Sequence, residues 1–425
     1  MKKFEGKVLL ELGTSVGSVE IVKYAKSQGA YVIVTDYLPT EKSKAKQIAD
    51  ETAMISTTDI ESLCKFAEEK KIDGVFCGVS ELNLLSVYAI AKYLNLPCYF
   101  TEEQWNICQD KTNFKEYCQK FNVPVPQKYD FLGFPTHDEI SKVSFPVIVK
   151  PVDQGAGIGI HICSNPEELL AAYQDAYEKS FSHKVIVEDY LVGEEFSAAY
   201  TVINGEYRLS MIGDKHLNRE QEGLLPLPEA YVYPSKNIAL YIKQCNNNVI
   251  KMFKSMGIEN GTFFVQGIVD GEKIAVFEAG LRMGGTALFR FIDKINGINI
   301  LELLTDYALT GKMEGDINKE DVNLKGKKCC LLSLLNKGGK ISEIIGVNEA
   351  AKVSGVRETI VRYNVGECIA RSGTLKQSHI RFFVVKDSID ALAESIKKIQ
   401  ELVSVRDEFD NEMLLSNFDT RKLYK

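Results

Sequence analysis

Lys150 ends a short apolar run, Val147-Ile148-Val149, and Gly155, Gly157 and Gly159 follow it at alternate positions. Glycines at that density let a backbone turn its N–H groups towards an anion, because no Cβ blocks the approach or forbids positive φ. A lysine at the strand's end adds a point charge beside the same anion. That is equipment for a flap over the phosphates of a nucleotide; a plain glycine-rich hairpin has the same composition. A P-loop is excluded, since the Gly-Lys pairs here run into Val8, Met313, Lys328 and Ile341 rather than Ser or Thr. The dinucleotide fingerprint fails at this loop as well, because Ile160-His161-Ile162 follows Gly159 and makes the unit strand–loop–strand.

A second constellation lies in TFFVQGIVDGEKIAVFEAGLRMGG. Glu278 closes an otherwise apolar strand, where a lone carboxylate is costly unless something neutralises it. A three-residue loop, Asp270-Gly271-Glu272, would pair Val269 with Lys273 and set Gln266 and Glu278 on one face of a hairpin. Hard oxygen ligands on one face suit Mg²⁺; a strand-end surface glutamate and a solvent-side glutamine are the alternative. Arg282 follows, and Gly284-Gly285 after it let backbone approach an anion, so Arg282 is the candidate to neutralise a transferring phosphoryl group. Glu81 stands where a loop leaves a strand's C-terminal end, the place where open α/β sheets bind ligands; a charge at a helix N-terminus is the other reading. The five histidines (His137, His161, His183, His216, His379) are dispersed and no HExxH or GxSxG motif occurs.

Several elements must hold these groups. A strand at 7–12, a helix at 19–27 and a strand at 31–35 open the chain as a βαβ unit of Rossmann type. Its Gly13 and Gly17 are one glycine short of the fingerprint, which disfavours a nicotinamide protein. A helix at 60–70, a strand at 74–78, a helix at 82–94 and a short strand at 98–100 continue a parallel sheet covered by helices. Asp110 opens a helix to Lys120, stopped by Pro124 and Pro126. A helix is expected at 166–180, strands at 185–188 and from 193 to 202, and a turn at Asn204-Gly205. Residues 217–235, polar and with three prolines, read as a substrate-facing loop. A helix at 237–256 and a hairpin at 262–279 follow. Beyond Lys325, β-type runs at 329–335, 358–361 and 380–385 and a helix at 389–403 read as a small α+β unit. Residues 406–425 read as a solvated tail or surface helix.

The 425 residues divide as 1–105, 106–320 and 321–425, each long enough for its own core. A net charge of −7 argues against nucleic acid or an anionic membrane as the main partner. Ten cysteines without a CxxC pair or a Cys/His cluster, an N-terminal apolar run too short for a signal peptide, and no membrane-length apolar stretch give the expectation of a cytoplasmic protein with reduced thiols. Cys329-Cys330, in an apolar run, read as buried thiols.

In order, from Asp110 to Arg282, these fragments resemble the ATP-grasp superfamily of carboxylate–amine ligases. Lys111 resembles the first nucleotide lysine, which reaches the β-phosphate. Lys150, in IVKP, resembles the second, on the α- and β-phosphates, and residues 153–159 resemble the flap. VEDYLVGEE resembles the adenine hinge and ribose acid. That likeness implies backbone groups of Asp189 and Leu191 on adenine, the Glu188 side chain beside its amino group, and Glu195 on the ribose hydroxyls, which a carboxylate accepts well. Lys215 sits where some members place a γ-phosphate contact; it is otherwise a loop charge. Arg290 is a candidate clamp for a substrate carboxylate and Glu81 a candidate substrate contact. The family's usual Glu-x-Asn-x-Arg is Glu278-Ala279-Gly280-Leu281-Arg282 here, so its second metal ligand is missing or supplied elsewhere. The C-terminal segment is similar to that of L-amino acid ligases, and to phosphoribosylglycinamide synthetase-like and carbamoyl-phosphate synthase-like proteins.

The fold so implied is α/β and α+β: an ATP-grasp fold with an N-terminal Rossmann-like parallel-sheet domain and a small C-terminal α+β domain. The chemistry implied uses ATP and Mg²⁺ (or Mn²⁺) to activate a small carboxylate, an amino acid or related metabolite, as an acyl phosphate for attack by an amine. Small molecules are the expected partners, with a homodimer as the family's frequent state. An ATP-binding protein without catalysis is the rival that Gly280 suggests.

Overall fold

The computed structural model describes residues 2–14, 16–154, 158–221, 224, 226–286 and 289–424, with the side chain of Ile292 excepted. Gly155 and Gly157 lie outside the described residues.

The mostly apolar run of Val8–Leu12, broken by Glu11 alone, makes it the inner strand of a parallel sheet, buried on both faces. Tyr31–Thr35 and Gly74–Phe76 flank it, and Glu51–Ala53 takes the edge beyond Tyr31–Thr35. The strand expected at 98–100 is absent. Instead the Tyr99 hydroxyl donates to Leu281 O (2.9 Å) and Phe100 packs into the core, which ties this unit to the segment carrying Arg282.

Glu11 interrupts the inner strand with a fully buried carboxyl whose oxygens find no hydrogen bond among the described residues. Burial raises its pKa well above the usual value, and Ser18 and the Gly78 amide nearby pull the other way without offsetting it. A carboxyl raised on folding lowers stability as pH climbs through and beyond the unfolded-state value. Glu11→Gln is therefore expected to be more stable than wild type at pH 8, with the gain shrinking towards pH 4.5, as urea melts at both pH values would read. A variant less stable at pH 8 would contradict this.

The larger sheet has eight antiparallel strands in the order Lys273–Gly280, Gly261–Asp270, Glu194–Ile203, Glu206–Asn218, Leu227–Tyr233, Lys328–Leu335, Ser378–Lys386, Val356–Val361. Directly opposed residues share a face. The pairs Gln266↔Glu278, Gln266↔Ser197, Glu195↔Lys215 and Lys215↔Tyr231 therefore put Glu278, Gln266, Glu195, Lys215 and Tyr231 on one face. A smaller four-stranded sheet faces it, ordered Lys128–Tyr129, Val185–Asp189, Val147–Pro151, His161–Cys163 and backed by the helix Pro166–Lys179. It carries Lys150 and Glu188.

Residues 217–235 are not one loop. Leu227–Tyr233 is a buried strand paired on both sides, and its prolines mark boundaries: Pro226 precedes it, Pro234 follows it, and Pro228 sits at a register shift where no ladder N–H is needed. The three strands expected beyond Lys325 do not form a sheet of their own, because Tyr233↔Cys329 and Ala230↔Leu332 continue the eight-stranded sheet across residue 320. Residues 406–425 are not a solvated tail either: Met413, Leu414, Leu415 and Phe418 are buried, most of them among the residues packed with the helix Ile389–Leu402. The adjacent Cys329 and Cys330 are buried free thiols. Among the described residues no helix is long and apolar enough to cross a membrane.

Candidate active site

Asp110 caps the helix Lys111–Lys120 by accepting from the amides of Thr112 (2.8 Å) and Asn113 (2.9 Å). The cap puts Lys111 in the first turn and Lys115 one turn on, along the same face. Lys111 Nζ donates to Gln154 O (2.7 Å), at the start of the flap. Lys115 pairs with Glu188 Oε2, and Lys150 Nζ lies 2.8 Å from Glu188 Oε1, an ion-pair contact off the line of a hydrogen bond. All three side chains are buried. Burial by itself would raise the Glu188 pKa, but Lys150 and Lys115 outweigh it and hold the carboxyl below its ordinary value. Burial and the charge of Lys150 pull Lys115 down to about 7 against the attraction of Glu188, and the same two causes lower Lys111. Two lysines on one buried carboxylate, with partly buried Lys111 beside them, leave a surplus of positive charge, which suits a polyphosphate.

Glu188 thus differs from its expected place beside an adenine amino group: both of its oxygens are held by lysines. Lys115 was not singled out from sequence, although its i, i+4 spacing from Lys111 was a readable signal.

Lys111, Lys150 and Glu188 line one side of a cavity of about 740 Å³ between the two sheets, and Glu195, Lys215, Gln266 and Glu278 line the other. Ile148, Ile162, Ile268 and Phe277 give it apolar walls that fit a planar ring. Lys215 donates to Glu195 (2.5 Å); burial lowers its pKa, but Tyr231 and Glu195 more than reverse this. Asp189 and Leu191 lie at the cavity's hinge. The Asp189 amide donates to Gln127 O (3.0 Å) and its carboxylate takes the Tyr129 hydroxyl (2.7 Å). Of the two hinge amides, Leu191's is the one without a partner among the described residues. Gly159 does not line the cavity; at φ +69° it turns the flap back, with Pro151 where a Cβ would lie. His216, its pKa lowered to about 4 by burial and by Lys422, packs on Phe418 as a neutral core residue.

The hairpin turn is tighter than expected: Asp270 pairs with Lys273, leaving Gly271-Glu272 as the two turn residues. A register shift between Gln266 and Gly267 restores the geometry and sets Gln266 directly opposite Glu278. Their amide oxygen and carboxylate are the hard donors that would fit a Mg²⁺ shared with phosphate oxygens. The next expected ligand position is closed. Any Cβ at Gly280 would stand 2.7 Å from the Phe264 ring, and that ring also lies under Arg282, 5.0 Å from its guanidinium carbon.

Arg282 lies outside the large cavity, against a small neighbouring one that Gly284 also lines. Its Nε pairs with Glu81 Oε2 and its Nη1 donates to Met283 O (3.0 Å). Glu81 in turn accepts from Trp105 Nε1 (3.0 Å) and Gln109 Nε2 (2.6 Å). Glu81 is thus the partner of Arg282 rather than a free substrate contact. Arg290 is not a free clamp either: it is paired with Glu20 of the N-terminal unit and Glu358 of the C-terminal one.

Residues 143–289 match the family model described as an ATP-grasp domain. The chain carries an ATP-grasp domain. It contains Lys150, Glu188, Glu195, Lys215, Gln266, Glu278 and Arg282, while Lys111 and Lys115 precede it. The chain is 25% identical over 300 residues to the carbamoyl phosphate synthase large chain of Clostridium perfringens (strain 13 / Type A), covering 70% of this chain and 28% of that one. It spans little more than a quarter of the length of the curated relatives it matches. The crystal structure of phosphoribosylglycinamide synthetase from Anaerococcus prevotii superposes with a TM-score of 0.74 at 20% identity, over 94% of this chain and 99% of that one. L-amino acid ligase from Bacillus licheniformis gives 0.75 at 17% identity, over 94% and 98%. The ATP-grasp fold, with its N-terminal parallel sheet and C-terminal extension, is thereby shared over nearly the whole chain.

Proposed function

We propose that this protein is an ATP-dependent ligase that activates a small carboxylate, an amino acid or related metabolite, as an acyl phosphate for attack by an amine. The observation that carries the reading is the convergence on one cavity of Lys111, Lys150, Lys215 and Glu195 with the opposed pair Gln266 and Glu278. The lysines hold the phosphates, Glu195 takes the ribose hydroxyls, and the Leu191 amide meets the base. Gln266 and Glu278 would hold a Mg²⁺, which when bound draws charge from the phosphates. A carboxylate oxygen attacks the γ-phosphorus and the bond to ADP breaks, giving the acyl phosphate. The amine nitrogen then attacks the acyl carbon, the C–O bond to phosphate breaks, and the nitrogen loses a proton to water. The protein's part is positioning and charge neutralisation, with Arg282 beside the phosphoryl group in transit.

A second reading, ATP binding without turnover, draws on the Phe264 ring at Gly280 and the hold of Glu81 on Arg282. Phosphate release from Mg-ATP, measured with amino acids singly and in pairs and with bicarbonate, separates the two. Release that requires a particular carboxylate is expected. ATP-induced stabilisation without release from any mixture would favour binding alone, and neither would overturn both.

A further inference from the structure

Arg381 is a half-buried guanidinium with no carboxylate partner among the described residues. Arg282 and Arg290, by contrast, are neutralised, the first by Glu81 and the second by Glu20 and Glu358. Arg381 makes two bonds, from Nε to Ser378 Oγ (3.0 Å) and from Nη1 to Gly285 O (3.4 Å), and its Nη2 donates to nothing described. Arg362 is the charge that acts most strongly on it and has the same sign; burial and Arg362 together lower the Arg381 pKa to about 10. The Nη end of this guanidinium is open to solvent, where an anion from outside the chain can reach it.

Its place in the sheet says where that anion would lie. Arg381 stands opposite Ser333 and two residues from Phe383, and Phe383 registers through Leu331 and Tyr231 onto Lys215. Arg381 therefore projects from the same face as Lys215, Glu195 and Glu278, and the charges of all four act on the Tyr231 phenol between them. At its other end it meets the Gly284-Gly285 loop beyond Arg282, where the space a Cβ would take at Gly285 is open among the described residues.

On the ligase reading above, we propose that Arg381 is a substrate-binding residue that holds a carboxylate of the small-molecule substrate beside Gly285. The planar fork offers two parallel N–H groups to a carboxylate, a geometry an ammonium lacks. The glycine loop gives the ligand its room, and Tyr231 separates this anion from the nucleotide's.

The test compares wild type with Arg381→Gln and Arg381→Lys by thermal melts and calorimetry. Mg²⁺ and a non-hydrolysable ATP analogue are added first, then a mixture of the standard L-amino acids and bicarbonate. Wild type is expected to be stabilised in both steps. Both variants should keep the first step and need at least about tenfold more of the mixture for the second. Should Arg381→Gln fail to fold, Arg381→Lys carries the comparison, since it keeps the charge and loses the fork. A second step surviving in the variants within about twofold, or missing from wild type while the first is present, overturns the proposal. Loss of the first step in wild type overturns the ligase reading instead.

Discussion

Glu188→Gln is expected to cost the fold roughly 3–5 kcal/mol, read as a lower urea midpoint. Among the described residues Glu188 is the single carboxylate between Lys115 and Lys150, and none of the three side chains reaches water freely. Removing its charge takes away the carboxylate that keeps Lys115 charged beside Lys150, so Lys115, already pulled down to about 7, must give up its proton or stay uncompensated, and this, more than the lost attraction, sets the cost. Lys115→Met in the Glu188→Gln background should therefore recover much of the loss, whereas additive damage from the two changes would contradict the charge argument. The pH dependence follows from the folded-state pKa of Glu188, which lies below its unfolded value. Its contribution is complete above the unfolded value, near 4.5, and fades as pH falls through the lowered one. The gap between wild type and Glu188→Gln should accordingly be full at pH 6 and narrow in acid. A nucleotide supplies anions to the same region, so ATP should stabilise Glu188→Gln more than it does wild type.

The fold was legible where local chemistry and tertiary placement agree. Val8–Leu12 is apolar apart from Glu11 because both faces of a parallel strand are covered, and the helix at Lys111 announces itself through Asp110. The prolines of 217–235 misled because a proline at a register shift looks, in sequence, like a proline in a loop. The tail misled because its charges outnumber the four apolar residues that fasten it to the core. For the site, residues that meet through the backbone frame were readable. Gln266 and Glu278 came together although the expected turn was wrong, since a register shift compensated for the shorter loop. What spacing could not show was which charges neutralise one another across units distant in sequence. Glu81 with Arg282, Glu20 and Glu358 with Arg290, and the lack of a carboxylate on Arg381 among the described residues are tertiary facts.

Arg282→Ala should lower phosphate release roughly 100- to 1,000-fold in kcat while ATP still stabilises the protein, because Arg282 stands outside the cavity of the nucleotide lysines. Glu81 bears on the same step at one remove. It takes Nε of Arg282, the Met283 carbonyl takes Nη1, and Nη2, without a partner among the described residues, is left for an incoming phosphoryl oxygen. Trp105 and Gln109 hold the Glu81 carboxylate from behind, so the guanidinium is aimed by a braced partner rather than by its own flexible stem. Glu81 is on this account a positioning residue. Glu81→Ala should cost about tenfold in kcat, with the KM for ATP unchanged, and nothing further when Arg282 is already alanine. A merely structural Glu81 would lower stability and both parameters alike, and its effect would persist in the Arg282→Ala background. If Glu81 instead restrained Arg282 from the phosphoryl group, Glu81→Ala would be faster than wild type. The sign of the kcat change therefore decides whether this ion pair aims the arginine or withholds it.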